Sequence, residues 1–130
     1  MGRDYDLMRA VLATVAGSHG PAKYGSFYDI RDEAALKREL ARLERDGLID
    51  STITFQGGDG ICLGGEASIT NEGREFLRLI ENDRAWELMR RTLDDVGIDV
   101  PYPLLKDVCE EIVRRYVASF IPDVPRARRG

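Results

Sequence analysis

The spacing of apolar residues changes twice along this chain, from helical to alternating after Gly47 and back to helical after Thr70. Between these two points the apolar residues alternate on either side of residues 57–60, three of which are glycine. Alternation around a glycine-rich turn is typical of a β-hairpin, and the pair Gly64-Gly65 predicts a bulge or bend in its second strand. The chain must therefore combine one short hairpin with helices on both sides of it in sequence.

Helical periodicity accounts for most of the remaining chain. It predicts five helices, over residues 4–16, 33–46, 71–81, 83–96 and 103–120. Asp32 and Thr70 stand where N-caps are needed, and Gly47 and Gly97 follow the helices that they would end. Residues 22–31 stay open between a short strand and a partial helical turn, because their aromatic residues fit either pattern.

The elements follow one another as helix, open segment, helix, hairpin, helix and two further helices. This is the order of a winged helix-turn-helix with a two-stranded wing and a C-terminal helical extension, an α+β fold. We expect a winged-helix core over residues 1–81 and a helical extension over residues 82–121, packed on the core or forming a dimer interface. Residues 122–130 are predicted to be a flexible basic tail.

The residue types that carry most catalytic and metal chemistry are scarce in this 130-residue chain. Cys62 and Cys109 lie far apart and form no CxxC pair, so neither a disulfide framework nor a zinc site is expected. His19 is the single histidine and lies in a loop of Gly, Ser and Pro. The neighbouring acids Asp94 and Asp95 diverge on a helix and cannot converge as an acid/base pair. We therefore expect no enzyme activity, no metal and no cofactor.

No segment approaches the roughly 18 consecutive apolar residues that a membrane span requires. The first six residues also lack the apolar core of a signal peptide. We therefore expect a cytoplasmic protein that has no membrane partner.

The charge balance disfavours binding of nucleic acid by the surface as a whole. The chain has 19 basic and 23 acidic residues, a net charge of −4. Three of the basic residues are arginines of the tail, so residues 1–125 hold 16 basic against 23 acidic residues, a net charge of −7. The hairpin tip, residues 56–65, contains no basic residue, although wings that touch DNA usually carry Arg or Lys there. Any affinity for DNA must come from a local patch.

The helix over residues 33–46 carries the strongest candidate patch. With its leucine seam inward, a winding of about 100° per residue places Glu33, Glu39 and Glu44 on the flanks of the seam. The opposite ridge holds Ala34, Arg38, Ala41, Arg42 and Arg45. Arginine binds guanine and phosphate through two hydrogen bonds, and alanine lets a helix approach the groove. The predicted DNA-binding residues are Lys37, Arg38, Arg42 and Arg45, with Lys37 as a phosphate contact. A solvated or partner-binding face is the alternative, because surface helices often carry such charges for solubility.

The apolar residues of the last helix spread over an arc of about 200°, whereas a helix packed on one surface needs about 100°. Two interpretations stay open: the helix lies in a groove of its own monomer, or it packs against a second copy. The residues of such a dimer interface would be Leu105, Cys109, Ile112, Tyr116 and Phe120. Two-fold pairing of this kind suits a two-fold operator.

Several motifs resemble those of winged-helix regulators. Residues 40–49, LARLERDGLI, resemble the end of the third helix in such proteins, and residues 67–77, ASITNEGREFL, resemble the exit from their wing. Residues 3–9, RDYDLMR, and 82–86, NDRAW, resemble more narrowly a YjcQ-like family of small bacterial and prophage winged-helix proteins. The resemblance covers about residues 3–117 and implies the winged-helix fold. That family has no assigned activity, so the resemblance implies no site residue, and the long glycine-rich hairpin loop departs from its pattern.

Two classes of function fit these observations. The first is a DNA-binding transcriptional regulator of bacterial or prophage origin that reads double-stranded DNA with the arginine ridge. The second is a non-catalytic protein-interaction module, such as a phage-derived accessory or inhibitory protein, which keeps the winged-helix frame without binding DNA. The arginine ridge favours the first, whereas the acidic body and the absence of basic residues from the hairpin tip favour the second.

Overall fold

The structure is a computed structural model that describes residues 3–30, 32–56 and 61–121. The described chain has a mixed α+β architecture. Its helices are α1 (Tyr5–Gly17), a short 3₁₀ helix (Tyr24–Phe27), α2 (Glu33–Arg45), α3 (Asn71–Ile80), α4 (Asp83–Val96) and α5 (Tyr102–Ala118). Its strands are β1 (Ala22–Lys23), β2 (Ile49–Ser51), β3 (Thr54–Gln56), β4 (Ile61–Gly64) and β5 (Glu66–Ile69).

The chain divides into two compact units, one formed by Arg3–Arg78 and the other by the chain from Leu79 onward. The first unit contains the sheet, α1, α2 and most of α3, and the second contains α4 and α5. The predicted tail, residues 122–130, lies outside the described residues.

A three-stranded antiparallel sheet forms the frame of the first unit, with the strand order β1-β5-β2. Its central strand places Ala67 opposite Ala22 of β1 and Ser51 of β2, and Ile69 pairs with Ile49. The segment that the sequence left open, residues 22–31, therefore begins as an edge strand and continues as the 3₁₀ helix. Strand and helical turn are both present, one after the other.

The hairpin β3–β4 extends from this sheet as a separate two-stranded ladder. Its predicted interruption is confirmed, because the backbone breaks between β4 and β5 at Gly64 and Gly65, which have φ of +131° and +103°. A Cβ at Gly65 would overlap the backbone of Thr52, so only glycine fits there. The predicted turn, residues 57–60, lies outside the described residues.

The helices of the first unit cover the sheet with one apolar side each. α1 packs on α2 and on β5, and α2 packs on β2. The buried apolar side chains of α1 and α2 are Tyr5, Met8, Val11, Leu12, Val15, Leu36, Leu40 and Leu43. They form one core with Leu48, Ile49 and Phe76, all almost completely buried. The leucines and valines at helical spacing therefore form the side of each helix that faces the core.

In the second unit α4 packs against α5. Asn82 caps α4 by accepting a hydrogen bond from the Ala85 amide at 3.0 Å, and Gly97 ends it in the left-handed conformation. Trp86, Met89 and Leu93, which share one face at helical spacing, are buried. Val96, which the same spacing places on the buried face, is instead 48% exposed, because it is the last residue of the helix and the chain turns away at Gly97.

Candidate nucleic-acid interface

The orientation of α2 is defined at both of its ends. The Asp32 side chain accepts a hydrogen bond from the Ala35 amide at 3.0 Å and so caps the first turn. Gly47, with φ of +78°, follows the last turn, and its carbonyl accepts a hydrogen bond from the Thr70 hydroxyl at 2.7 Å. The leucine seam between these ends is buried against the core, so the opposite side of the helix faces solvent.

The exposed side of α2 is the side that the spacing of its leucines predicts. Arg38 and Arg45 are exposed, together with the small side chains Ala34 and Ala41. The other two predicted DNA-binding residues, Lys37 and Arg42, are half-buried at the edges of this surface. We call Ala34, Arg38, Ala41, Arg42 and Arg45 the α2 ridge. The structure thus brings two arginines fully to the surface and holds the remaining two cations closer to the body.

Glu39 departs from the sequence interpretation, which placed all three acids of this helix on the flanks of the seam. The structure buries Glu39 among the core residues, where its carboxylate accepts two hydrogen bonds from the Arg3 guanidinium. A second acid, Asp46, lies 4.0 Å from the same guanidinium. Sequence reasoning missed this cluster because Arg3 and Glu39 lie 36 residues apart, and only the packing of α1 on α2 brings them together.

A second acid of α2 is also engaged with a neighbouring element. The hydroxyl of Tyr24, the first residue of the 3₁₀ helix, donates a hydrogen bond to the Glu33 carboxylate. Together with the Arg3–Glu39 pair, this contact directs two of the three acids of α2 toward protein groups. The α2 ridge itself contains arginines and no acid, while Glu33 and Glu44 remain exposed elsewhere on the helix.

An open cavity of about 470 Å³ lies at the base of the hairpin in the first unit. Its lining consists of Lys23, Tyr24, Gly25, Thr52, Gly64, Gly65 and Glu66. Lys23 and Glu66 are opposite each other in the β1–β5 ladder, and the Thr52 hydroxyl is bonded to the backbone of Glu66. At the rim of the cavity the Thr52 hydroxyl thus donates to the Glu66 carbonyl and accepts from the Glu66 amide.

The residues predicted for a dimer interface differ in their exposure to solvent. Leu105 and Cys109 are completely buried, Ile112 and Tyr116 are half-buried, and Phe120 is 62% exposed. The Tyr116 and Phe120 rings contact each other edge to face, with 5.1 Å between their centroids. The same side of α5 is therefore inside the protein at its start and open to solvent at its end.

Cys109 behaves as an apolar core residue. Burial raises the pKa of its thiol from 9.0 to about 12, and the neighbouring Glu110 carboxylate adds to this rise. At neutral pH the side chain is therefore a neutral thiol with little nucleophilic character.

Within residues 3–30, 32–56 and 61–121, no group of three His, Cys, Asp or Glu side chains could hold a metal ion. None of the helices in these ranges combines the length and the apolar character needed to cross a lipid bilayer.

Comparison of the chain with protein-family models, with curated proteins and with solved structures finds no match in any of the three. The resemblance to YjcQ-like proteins therefore stays a prediction.

Proposed function

We propose that this chain is a winged-helix protein that binds double-stranded DNA through α2 and acts as a transcriptional regulator of bacterial or prophage origin. The observation that carries the proposal is the α2 ridge. It presents exposed arginines between exposed alanines, while the helix turns two of its three acids toward other protein groups.

The arrangement of elements in the first unit supports the winged-helix part of the proposal. A winged helix places a recognition helix just before a hairpin, with the preceding helices packed behind it. Here α2 directly precedes β2 and the β3–β4 hairpin, and α1 packs on its inner side. The 3₁₀ helix Tyr24–Phe27 occupies the position of the second helix and is only four residues long. The hydrogen bond from Tyr24 to Glu33 links this short element to α2.

The chemistry of the ridge suits a DNA groove. The major groove admits an α-helix, and an arginine guanidinium matches the O6 and N7 acceptors of guanine. The small side chains of Ala34 and Ala41 leave room for the backbone of α2 to come close to the base edges. In this proposal Arg38, Arg42 and Arg45 contact bases or phosphates, and Lys37 contacts a phosphate from the side.

Fluorescence anisotropy of labelled duplexes tests the proposal, with random and genomic DNA at low and then at physiological salt. We expect binding that weakens steeply with salt, because contacts to phosphates release counterions. The double variant Arg38→Ala/Arg42→Ala should bind at least about thirtyfold more weakly, since each bidentate contact contributes about 1–3 kcal/mol. Its thermal unfolding should match that of the wild type, because neither side chain belongs to the core.

The matched control is Arg114→Ala/Arg115→Ala, which removes the same charge from exposed positions of α5. It should bind DNA with nearly the wild-type affinity. The proposal is wrong if no duplex binds at low salt, or if the two double variants bind equally well.

A second candidate function, the protein-interaction module, is favoured by the end of α5. Val117, Phe120 and Ile121 are between 47% and 62% exposed, and large apolar side chains exposed together are typical of contact surfaces. A second copy of the chain or another protein would bury them. Binding through such a surface depends little on salt, so the salt series that tests DNA binding also separates the two functions.

A further inference from the structure

One buried ion pair joins the start of the first unit to the proposed DNA-binding helix. Among the described residues, Glu39 is the one polar or charged residue that is buried as a whole. The side chain of its partner, Arg3, is only 4% exposed. Arg3 donates to both Glu39 oxygens, with Nε at 3.4 Å from Oε1, and its Nη1 lies 4.0 Å from Asp46 Oδ2. Glu39 in α2 and Asp46, the C-cap residue of the same helix, thus share the Arg3 guanidinium.

The position of Arg3 makes this cluster a link between two helices. The next residue, Asp4, caps α1 by accepting a hydrogen bond from the Leu7 amide at 3.0 Å. Glu39 and Asp46 lie seven residues apart, about two helical turns, and so face the same side of α2. The Arg3 side chain therefore connects the residue just before the α1 N-cap to the middle and the end of α2.

Such a cluster adds little to the stability of the fold but restricts the orientation of the two helices that it joins. Desolvation of two charges offsets most of their attraction, so a buried ion pair contributes little more than an apolar pair of similar volume. Apolar contacts, however, are non-directional and tolerate rotation of one helix against another. A guanidinium that donates to both oxygens of a carboxylate accepts a narrow range of orientations.

Rotation of α2 would displace the groups that face DNA. Arg38 directly precedes Glu39, so any turn of α2 about its axis carries both side chains with it. At about 5–6 Å from the helix axis, a rotation of about 20° moves a side-chain group by about 2 Å. Binding groups must be held within about 0.5 Å to keep their contacts.

We propose that Arg3 is a positioning residue for DNA recognition: through Glu39 and Asp46 it sets the rotation of α2 and thereby the presentation of Arg38 and Arg45. This inference rests on the proposed function and adds that the specificity of the ridge depends on a residue that does not touch DNA.

The double variant Arg3→Met/Glu39→Met tests the inference, because it removes one positive and one negative charge and leaves the net charge unchanged. Its thermal unfolding should stay close to that of the wild type, since replacement of a buried pair by apolar side chains is often neutral or stabilising. Two probes are needed: a random duplex, and the tightest-binding duplex that the wild type selects from a random pool. We expect wild-type affinity for the random duplex and at least tenfold weaker binding of the selected duplex.

The variant Arg3→Lys provides a second test if the double variant fails to fold. Lysine keeps the charge and the length of the side chain but lacks the planar fork of donors. It should also lower the ratio of selected to random affinity. A folded variant of either kind that keeps the wild-type ratio overturns the inference and leaves the proposed function intact. Failure of the wild type to bind any duplex overturns both.

Discussion

The substitution Gly73→Ala gives the sharpest test of the packing of α3 on the sheet. Gly73 is buried in the first turn of α3, directly above the chain that joins α2 to β2. A Cβ at this position would overlap the Leu48 carbonyl oxygen and lie 2.8 Å from the Ile69 Cγ1. Ordinary contact begins at about 3.4 Å, so one methyl group requires α3 to move by roughly 1 Å or more.

This movement acts on a connected set of hydrogen bonds. The Thr70 amide donates to the Leu48 carbonyl at 3.1 Å, and the Thr70 hydroxyl accepts from the Gly73 amide at 3.0 Å. The same hydroxyl donates to the Gly47 carbonyl at 2.7 Å. Overpacking of a tight site costs about 1–3 kcal/mol, and loss of an N-cap costs about 1 kcal/mol. The higher helix propensity of alanine offsets up to about 1 kcal/mol of this. We expect a net destabilisation of about 2–3 kcal/mol.

Thermal unfolding followed by circular dichroism measures the effect. For a domain of this size the expected loss lowers the melting temperature by about 10 °C. Gly17→Ala is the matched control, because Gly17 ends a helix and a Cβ there meets nothing within 4 Å. The control should melt at the wild-type temperature or slightly above it, since alanine restricts the unfolded chain. A Gly73→Ala protein that melts within about 3 °C of the wild type would refute this description of the contact.

Two further predictions concern α5. Leu105→Ala should destabilise the protein by about 2–5 kcal/mol in urea unfolding because it opens a cavity, whereas Leu104→Ala, at a 56% exposed position, should cost about 0.5 kcal/mol or less. Equal effects of the two variants would mean that the assigned inward side of α5 is wrong. The Cys109 thiol, whose pKa rises from 9.0 to about 12 on folding, should stabilise the folded state fully below pH 9 and progressively less as the pH rises toward 12. The difference in the free energy of unfolding between the wild type and Cys109→Ala should therefore decrease as the pH is raised from 8 to 11. A constant difference over this pH range would contradict the burial of the thiol.

Helix boundaries and the hairpin were predictable because their causes are local. The caps at Asp32, Thr70 and Asn82 accept hydrogen bonds from amides three residues ahead, so the cap and its partner can be found in one short window. The backbone at Gly47 and Gly97 has positive φ, which glycine adopts at little cost. Residues 22–31 stayed open for the opposite reason, because β1 exists only through its pairing with β5, which follows much later in the chain.

In the candidate site, too, features with local causes could be predicted and features that depend on packing could not. The leucine spacing of α2 is enough to tell which side faces solvent, so the exposure of Arg38 and Arg45 could be predicted. The half-buried positions of Lys37 and Arg42 could not, because they depend on how neighbouring elements meet the helix.

The sequence by itself determined, to within about two residues, where the five α-helices begin and end, and also which side of α2 carries arginines and where glycine must interrupt the strands. These features depend on hydrogen bonds and steric limits within a few residues, so no distant part of the chain can change them. Only the tertiary structure decided that Glu39 is buried against Arg3, that the 3₁₀ helix bonds to Glu33 through Tyr24, and that Leu105 in α5 is covered whereas Phe120, just after α5, is exposed. Burial and long-range ion pairing arise when separate elements pack together, and a linear pattern does not specify which of the possible partners will meet.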